Sequence, residues 1–229
     1  MITDQDRTTL IADFDPEAYP FHRVIAEFIG QDRLTELTSD YADGAAERGS
    51  NSLYKNMEQS PHFRRLYAAL EGPRGAEFYD LYHRFVREVI RPAVGEPFYY
   101  QARPSHRILF ADTPGVSRFH RDRDYGHLSV ETNYQVVQTP ARGNNAMWIE
   151  SAEGQADYQP LELTVGQYAR FKGADLEHGA RRNDTGHSRV SFDFRIIRAS
   201  QAPTDVTDPR SQDEDNPVRR NARNFAYCA

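Results

Sequence analysis

The sequence predicts a mainly β protein carrying an N-terminal layer of helices, and three observations lead there. Up to about residue 97 the apolar residues recur at three-and-four spacing, as on a helix face. From Phe98 the period drops to two, and clusters of Pro, Gly, Asn and Asp separate the later runs. So many short strands close most simply into a jelly-roll barrel of two antiparallel sheets packed on the helices. With 229 residues, 38% of them hydrophobic, there is room for one substantial core. The expected organisation is one domain over 1–229, with helical support in 1–97, a jelly-roll core in 98–199 and a tail or lid in 200–229.

The elements follow in order. Asp13, Asp15 and Glu17 offer capping carboxylates around Pro16, and Phe21, Val24, Ile25 and Phe28 then mark a helix face that Gly30 ends. A second helix is expected over Pro61–Leu70, and a third over Ala76–Ile90, stopped by Arg91-Pro92. Their aromatic stripes read as faces packed on a sheet. The expected strands are Tyr99–Phe110, Gly126–Thr139, Asn145–Glu150, Gln167–Phe171 and Ser188–Arg198, with turns over 139–145 and 183–186. Between Ser200 and Arg220 the chain is rich in Pro, Asp, Ser and Arg and reads as a tail with a short aromatic end, or as a lid or subunit contact.

Composition excludes several function classes. A net charge of −6 with arginines scattered among acids leaves no basic face, so no nucleic-acid partner is expected. The single Cys228 allows no internal disulfide and fits a reducing cytoplasm. No apolar leader opens the chain and no apolar run approaches the roughly 20 residues of a membrane span, so a cytoplasmic protein off the membrane is expected.

The chemistry is carried by His120-Arg121-Asp122, His178 fifty-eight positions later, and Arg189-Val190-Ser191 eleven positions after that. Residues i and i+2 of an extended segment point to the same side, so His120 and Asp122 can reach one ion. Two imidazoles and a carboxylate on one face of Fe(II) leave three positions open. An Arg with a hydroxyl two residues on, here Arg189 and Ser191, suits the remote carboxylate of a keto-diacid. Parity extends the site. In Arg189–Ile196 the odd positions are Arg189, Ser191, Asp193 and Arg195, while the even ones are Val190, Phe192, Phe194 and Ile196. In Gly126–Val136 a second polar face carries His127, Ser129, Glu131, Asn133 and Gln135.

With those residues, over roughly Gln101–Arg198, the chain resembles the Fe(II)/2-oxoglutarate-dependent dioxygenases, whose pattern is H-x-D, a distal His and R-x-S. The resemblance implies a double-stranded β-helix, the cupin-like jelly roll, with Fe(II) on His120, Asp122 and His178. It also implies 2-oxoglutarate held by Arg189 and Ser191, with Asn133 assigned as a further co-substrate contact, and O₂ as second co-substrate. The implied reaction couples decarboxylation of 2-oxoglutarate to hydroxylation of a C–H bond. Desaturation and ring closure draw on the same chemistry, while Asp122 stands where related halogenases have Gly or Ala. The run around Leu176–Gly179 and Ser188–Arg195 is similar to small dioxygenases of antibiotic and amino-acid tailoring, including a streptomycin-biosynthesis-like branch. Asp193 and Arg195, with Glu131, Arg103 and His127, are the expected substrate contacts, suited to a small amine-bearing metabolite. Two rival classes are a catalytically silent cupin-like binding protein, which needs no R-x-S clamp, and a structural jelly roll with an accidental motif.

Overall fold

A computed structural model describes residues 8–39, 60–115, 117–203 and 225–229. Strand β1 (Leu10–Asp13) comes first and was not foreseen. Its segment reads locally as helix-capping chain, whereas pairing with a later strand makes it extended. Asp15 instead accepts a hydrogen bond from the Glu17 amide at 2.8 Å, a local turn, and helix α1 (Phe21–Ile29) starts after Pro20 without a side-chain cap. Gly30 then ends it in the left-handed conformation, φ 74°, with its amide on the Ala26 carbonyl. Phe21, Val24, Ile25 and Phe28 are buried as their spacing predicts.

Helix α2 (Pro61–Glu71) and helix α3 (Gly75–Phe85) also match their apolar patterns. The helix does not stop at Arg91-Pro92. It widens into a π turn over Val86–Ile90 and resumes as α4 (Arg91–Val94), which Gly95 closes at φ 80°. A proline removes an amide and crowds the carbonyl four residues earlier, and a wider turn relieves both.

The β region opens with β2 (Phe98–Gln101) and β3 (Ser105–Leu109), which the period-two pattern reads as one strand. Both lie antiparallel on the same later strand, but Tyr100 faces Ile196 while Ser105 faces Asp193, so the intervening Ala102-Arg103-Pro104 inserts two extra residues. An even insertion keeps the parity. The expected strand Gly126–Thr139 is shortened to β4 (Thr132–Val137). Residues Asp122–Tyr125 form a 3-10 turn that ends in Gly126 at φ 83°, and Glu131 donates its amide to the Leu128 carbonyl. Strands β5 (Met147–Ile149), β6 (Gln159–Leu161), β7 (Gln167–Phe171), β8 (His178–Gly179) and β9 (Arg189–Arg198) follow. The last strand, β10 (Phe225–Cys228), pairs with β2 at the sheet edge and buries Cys228, so the aromatic end is neither a loose tail nor a lid. Residues 204–224, the rest of that expected tail, lie outside the described residues.

The large sheet runs β1-β7-β4-β9-β2-β10, with β3 also on β9, and the small one β6-β5-β8. This is the mainly antiparallel double-stranded β-helix that the resemblance implies. Strand β9 divides the molecule. Val190, Phe192, Phe194 and Ile196 join Phe21, Phe78, Tyr82 and Phe85 in a core between sheet and helices. A second core, with Val137, Ile149, Leu161 and Phe171, fills the space between the two sheets. No described helix is long and apolar enough to cross a membrane.

Phe192 has no exposed surface, and its ring meets those of Phe21, Phe78, Tyr82 and His106. Phe192→Ala therefore costs about 3–5 kcal/mol through lost burial and the cavity left behind. Urea denaturation checks this, and a loss below 1 kcal/mol would mean that the helices do not depend on this face of β9.

Candidate metal centre

His120 and His178 exchange backbone hydrogen bonds, His120 N to His178 O at 2.9 Å and His178 N to His120 O at 3.0 Å. That isolated antiparallel bridge sets the two side chains opposite each other on one face. Gly179 lets the chains come this close, since a Cβ there would lie 2.9 Å from the Phe119 backbone. Asp122 is positioned by its own amide, which donates to the Gly173 carbonyl at 2.8 Å.

The ring tautomers follow from the other nitrogens. His120 Nδ1 lies 2.7 Å from the Arg118 carbonyl, and His178 Nδ1 lies 2.9 Å from the Leu176 carbonyl. A carbonyl only accepts, so each Nδ1 carries the proton and each Nε2 presents a lone pair. Those Nε2 atoms stand 3.6 and 3.7 Å from Asp122 Oδ1. That is too long for hydrogen bonds and suits ligands that share an ion. His120, Asp122 and His178 offer atoms all within 4.8 Å of one another, and they form the one such metal-ligating group among the described residues. Burial, above all, pushes the His178 imidazole below its ordinary value, which keeps it neutral for ligation.

Asp122 Oδ2 is taken up by protein. Asn133 Nδ2 donates to it at 2.7 Å, Arg195 Nη2 at 2.9 Å and Arg195 Nε at 3.2 Å. Burial opposes the charge on Asp122, yet the Arg195 guanidinium against it holds its carboxyl well below the usual carboxylate range. Behind Arg195, Glu131 Oε2 lies 3.5 Å from Arg195 Nε and 2.9 Å from His127 Nδ1. The buried Lys172 donates to the Ser129 and Glu131 carbonyls at 2.8 Å each and ties down this loop.

The residues expected to contact substrate or co-substrate carry protein partners. Asn133 and Arg195 hold Asp122, and Glu131 and His127 lie behind Arg195. Asp193 is bound by Arg107, Nε to Oδ1 at 2.8 Å. Arg103 is exposed, over the Tyr79 ring at 5.4 Å. Asp193 and Arg195 lie on the inward face that parity predicts, but parity does not show that neighbouring strands bring them countercharges.

Arg189 and Ser191 have no such partners. Both are buried in the inward row of β9, and Arg189 Nε, Arg189 Nη1 and Ser191 Oγ have no hydrogen-bond partner. Burial, with Arg107 nearby, lowers the Arg189 guanidinium to about 10, so it remains charged at neutral pH. An orphaned, buried guanidinium is costly unless an anion completes it.

Sequence reasoning missed Gly173 and Arg107. A glycine just past the end of β7 is a signal for close backbone approach, and Arg107 shares the parity of Ser105 and Leu109 on β3.

No family model matches the chain. Among solved structures it is similar to the non-heme monooxygenase ThoJ in a nickel complex, with TM-score 0.50 and 16% identity over 87% of this chain and 77% of that one. It is also similar to the non-heme alpha-ketoglutarate-dependent carbocyclase SnoK from nogalamycin biosynthesis, with TM-score 0.50 and 12% identity over 98% and 93%. At those identities the likeness is one of fold. In sequence it is 32% identical over 193 residues to the streptomycin biosynthesis protein StrG of Streptomyces griseus, spanning 84% of this chain and 86% of that protein. The chain belongs to the Fe(II)/2-oxoglutarate-dependent non-heme oxygenases. Fe(II), 2-oxoglutarate and O₂ are the cofactor and co-substrates of this oxygenase family. The residues present fit them, with three converging ligand atoms for the ion and an unpartnered guanidinium and hydroxyl for the dianion.

Two outcomes follow for this oxygenase. His178→Ala or Asp122→Ala abolishes Co(II) binding in an anaerobic titration while the circular dichroism spectrum survives, because the barrel has its own core. Near-wild-type affinity in either variant would remove the triad. In Gly173→Ala the new Cβ would meet the Asn133 amide at 2.7–2.9 Å. Displacing that amide from Asp122 weakens the metal about 10–100-fold, and calorimetry reads the change.

Proposed function

We propose that this oxygenase couples oxidative decarboxylation of 2-oxoglutarate to hydroxylation of a C–H bond in a small polar metabolite. The observation that carries this reading is the presence of a three-ligand centre together with a buried Arg189, on the inward face of β9, whose Nε and Nη1 have no partner. His120, Asp122 and His178 would hold Fe(II), which when bound supplies the oxidising power for the C–H bond. Arg189 and Ser191 would hold the remote carboxylate of 2-oxoglutarate and orient its keto-acid end toward the ion. Both Nδ1 protons stay hydrogen-bonded to backbone carbonyls, which leaves the Nε2 lone pairs free to hold the ion. A silent binding protein has no use for the orphaned guanidinium.

The substrate reading shifts with the geometry. Asp193 and Arg195 are already paired with Arg107 and Asp122, so the charge argument for an amine group falls away. Tyr125 is exposed, and its ring meets the His120 ring edge-to-face at 5.1 Å. A flat aromatic beside the ion suits the C–H face of a hydroxyl-bearing ring. The likeness to StrG supports a place in antibiotic-type biosynthesis. The enzyme would act in the cytoplasm on a free small molecule, as a single domain with no nucleic-acid or membrane partner.

Succinate release tests the reading, with cyclitols and sugars assayed against amino acids. A hydroxyl-bearing ring that stimulates succinate and gains one oxygen atom supports it, and stimulation by amino acids alone overturns the substrate class. Arg189→Gln leaves the bound carboxylate without its buried partner and weakens 2-oxoglutarate by about 3–5 kcal/mol, roughly a hundred-fold to several-thousand-fold. Arg189→Lys recovers only part of this, since an ammonium cannot reproduce the planar fork. Unchanged affinity in both variants would move the co-substrate elsewhere.

A further inference from the structure

We propose that Arg195 is a positioning residue that confines Asp122 to one metal-facing oxygen, an inference that rests on the metal-site reading above. A carboxylate has two oxygens, and a divalent ion readily takes either one or both. Here the choice is made by protein. Oδ2 is the shared acceptor of Asn133 Nδ2 and of both Nε and Nη2 of Arg195, whereas Oδ1 alone faces the two Nε2 atoms.

Arg195 is itself immobilised. Its amide donates to the Oε1 of Gln101, the last residue of β2, at 2.8 Å. Its guanidinium lies between Asp122 and Glu131, and Glu131 is anchored by His127 and by the Leu128 amide at 3.2 Å. All four side chains are at least nine-tenths enclosed. Turning the Asp122 carboxylate to present both oxygens would break three hydrogen bonds in a dry site and leave the Arg195 fork half empty.

The consequence is a count of positions. Three protein ligands on a six-coordinate ion leave about three open positions. A chelating keto acid would fill two and leave one for O₂. A second oxygen from Asp122 would close that last position. Arg195 thus protects the oxygen site from the protein's own carboxylate, a task that the ligand pattern in the sequence does not mention.

Solvent-proton relaxation by bound Mn(II) reports the number of exchangeable waters on the ion and needs no turnover. Arg195→Gln removes two of the three hydrogen bonds on Oδ2 and leaves it to Asn133 alone, so the carboxylate chelates and the per-ion relaxivity falls by about one third, three waters becoming two. Should the single variant fail to fold, Arg195→Gln combined with Glu131→Gln removes the same donor without leaving a buried Glu131 charge that has lost its guanidinium, and the same fall is expected. Wild-type relaxivity per bound ion in the folded variant overturns the proposal. The parent reading fails separately, if the unmodified protein binds no Mn(II) or if Asp122→Ala binds it as well.

Discussion

The alternation of strand β9 is the constraint on which the rest of the structure depends. Its even residues are rings and branched chains that the helices cover, and its odd residues are Arg189, Ser191, Asp193 and Arg195. Both faces are mostly buried, so neither can be exchanged for the other. A register slip of one residue would place a guanidinium among Phe21, Phe78 and Tyr82 and a phenylalanine beside Asp122. The helical layer therefore does more than cover the sheet, because it fixes which face of β9 looks inward.

Along that inward face the charges are handled in two ways. At the metal end every charge has a partner, with Arg195 between Asp122 and Glu131 and Glu131 on His127. Asp193 is neutralised by Arg107 in the middle. Arg189 alone keeps unpartnered nitrogens, roughly 20 Å of strand from Arg195. Along this face of β9 the acids and Arg195 are paired within the protein, and the Arg189 guanidinium is the group left with room for an anion. Asp193, standing between the two arginines, would repel such an anion if Arg107 did not hold it.

Much of the site is thus a second ring of side chains around the three ligands. Asn133 and Arg195, from β4 and β9, meet at the Asp122 carboxylate, and Gly173, in the turn after β7, holds the Asp122 amide. Backbone carbonyls of Arg118 and Leu176 choose the imidazole tautomers. Such support is built from ordinary residue types at unrelated positions.

That distinction separates what was legible in the sequence from what was not. The three ligands, the Arg189-Ser191 pair, the switch from helical to alternating periodicity at Phe98 and the parity of β9 could all be read directly, because each depends on residues close together or on a spacing that one metal ion imposes. Strand β1, the closing strand β10 and the short β8 could not, since a four-residue or two-residue strand exists only when a partner completes its hydrogen bonds. The protein partners of Asn133, Asp193 and Arg195 are not legible for the same reason. Parity tells which way a side chain points, while its countercharge arrives from another strand, and only the folded sheet decides whether Arg195 meets a substrate or Asp122.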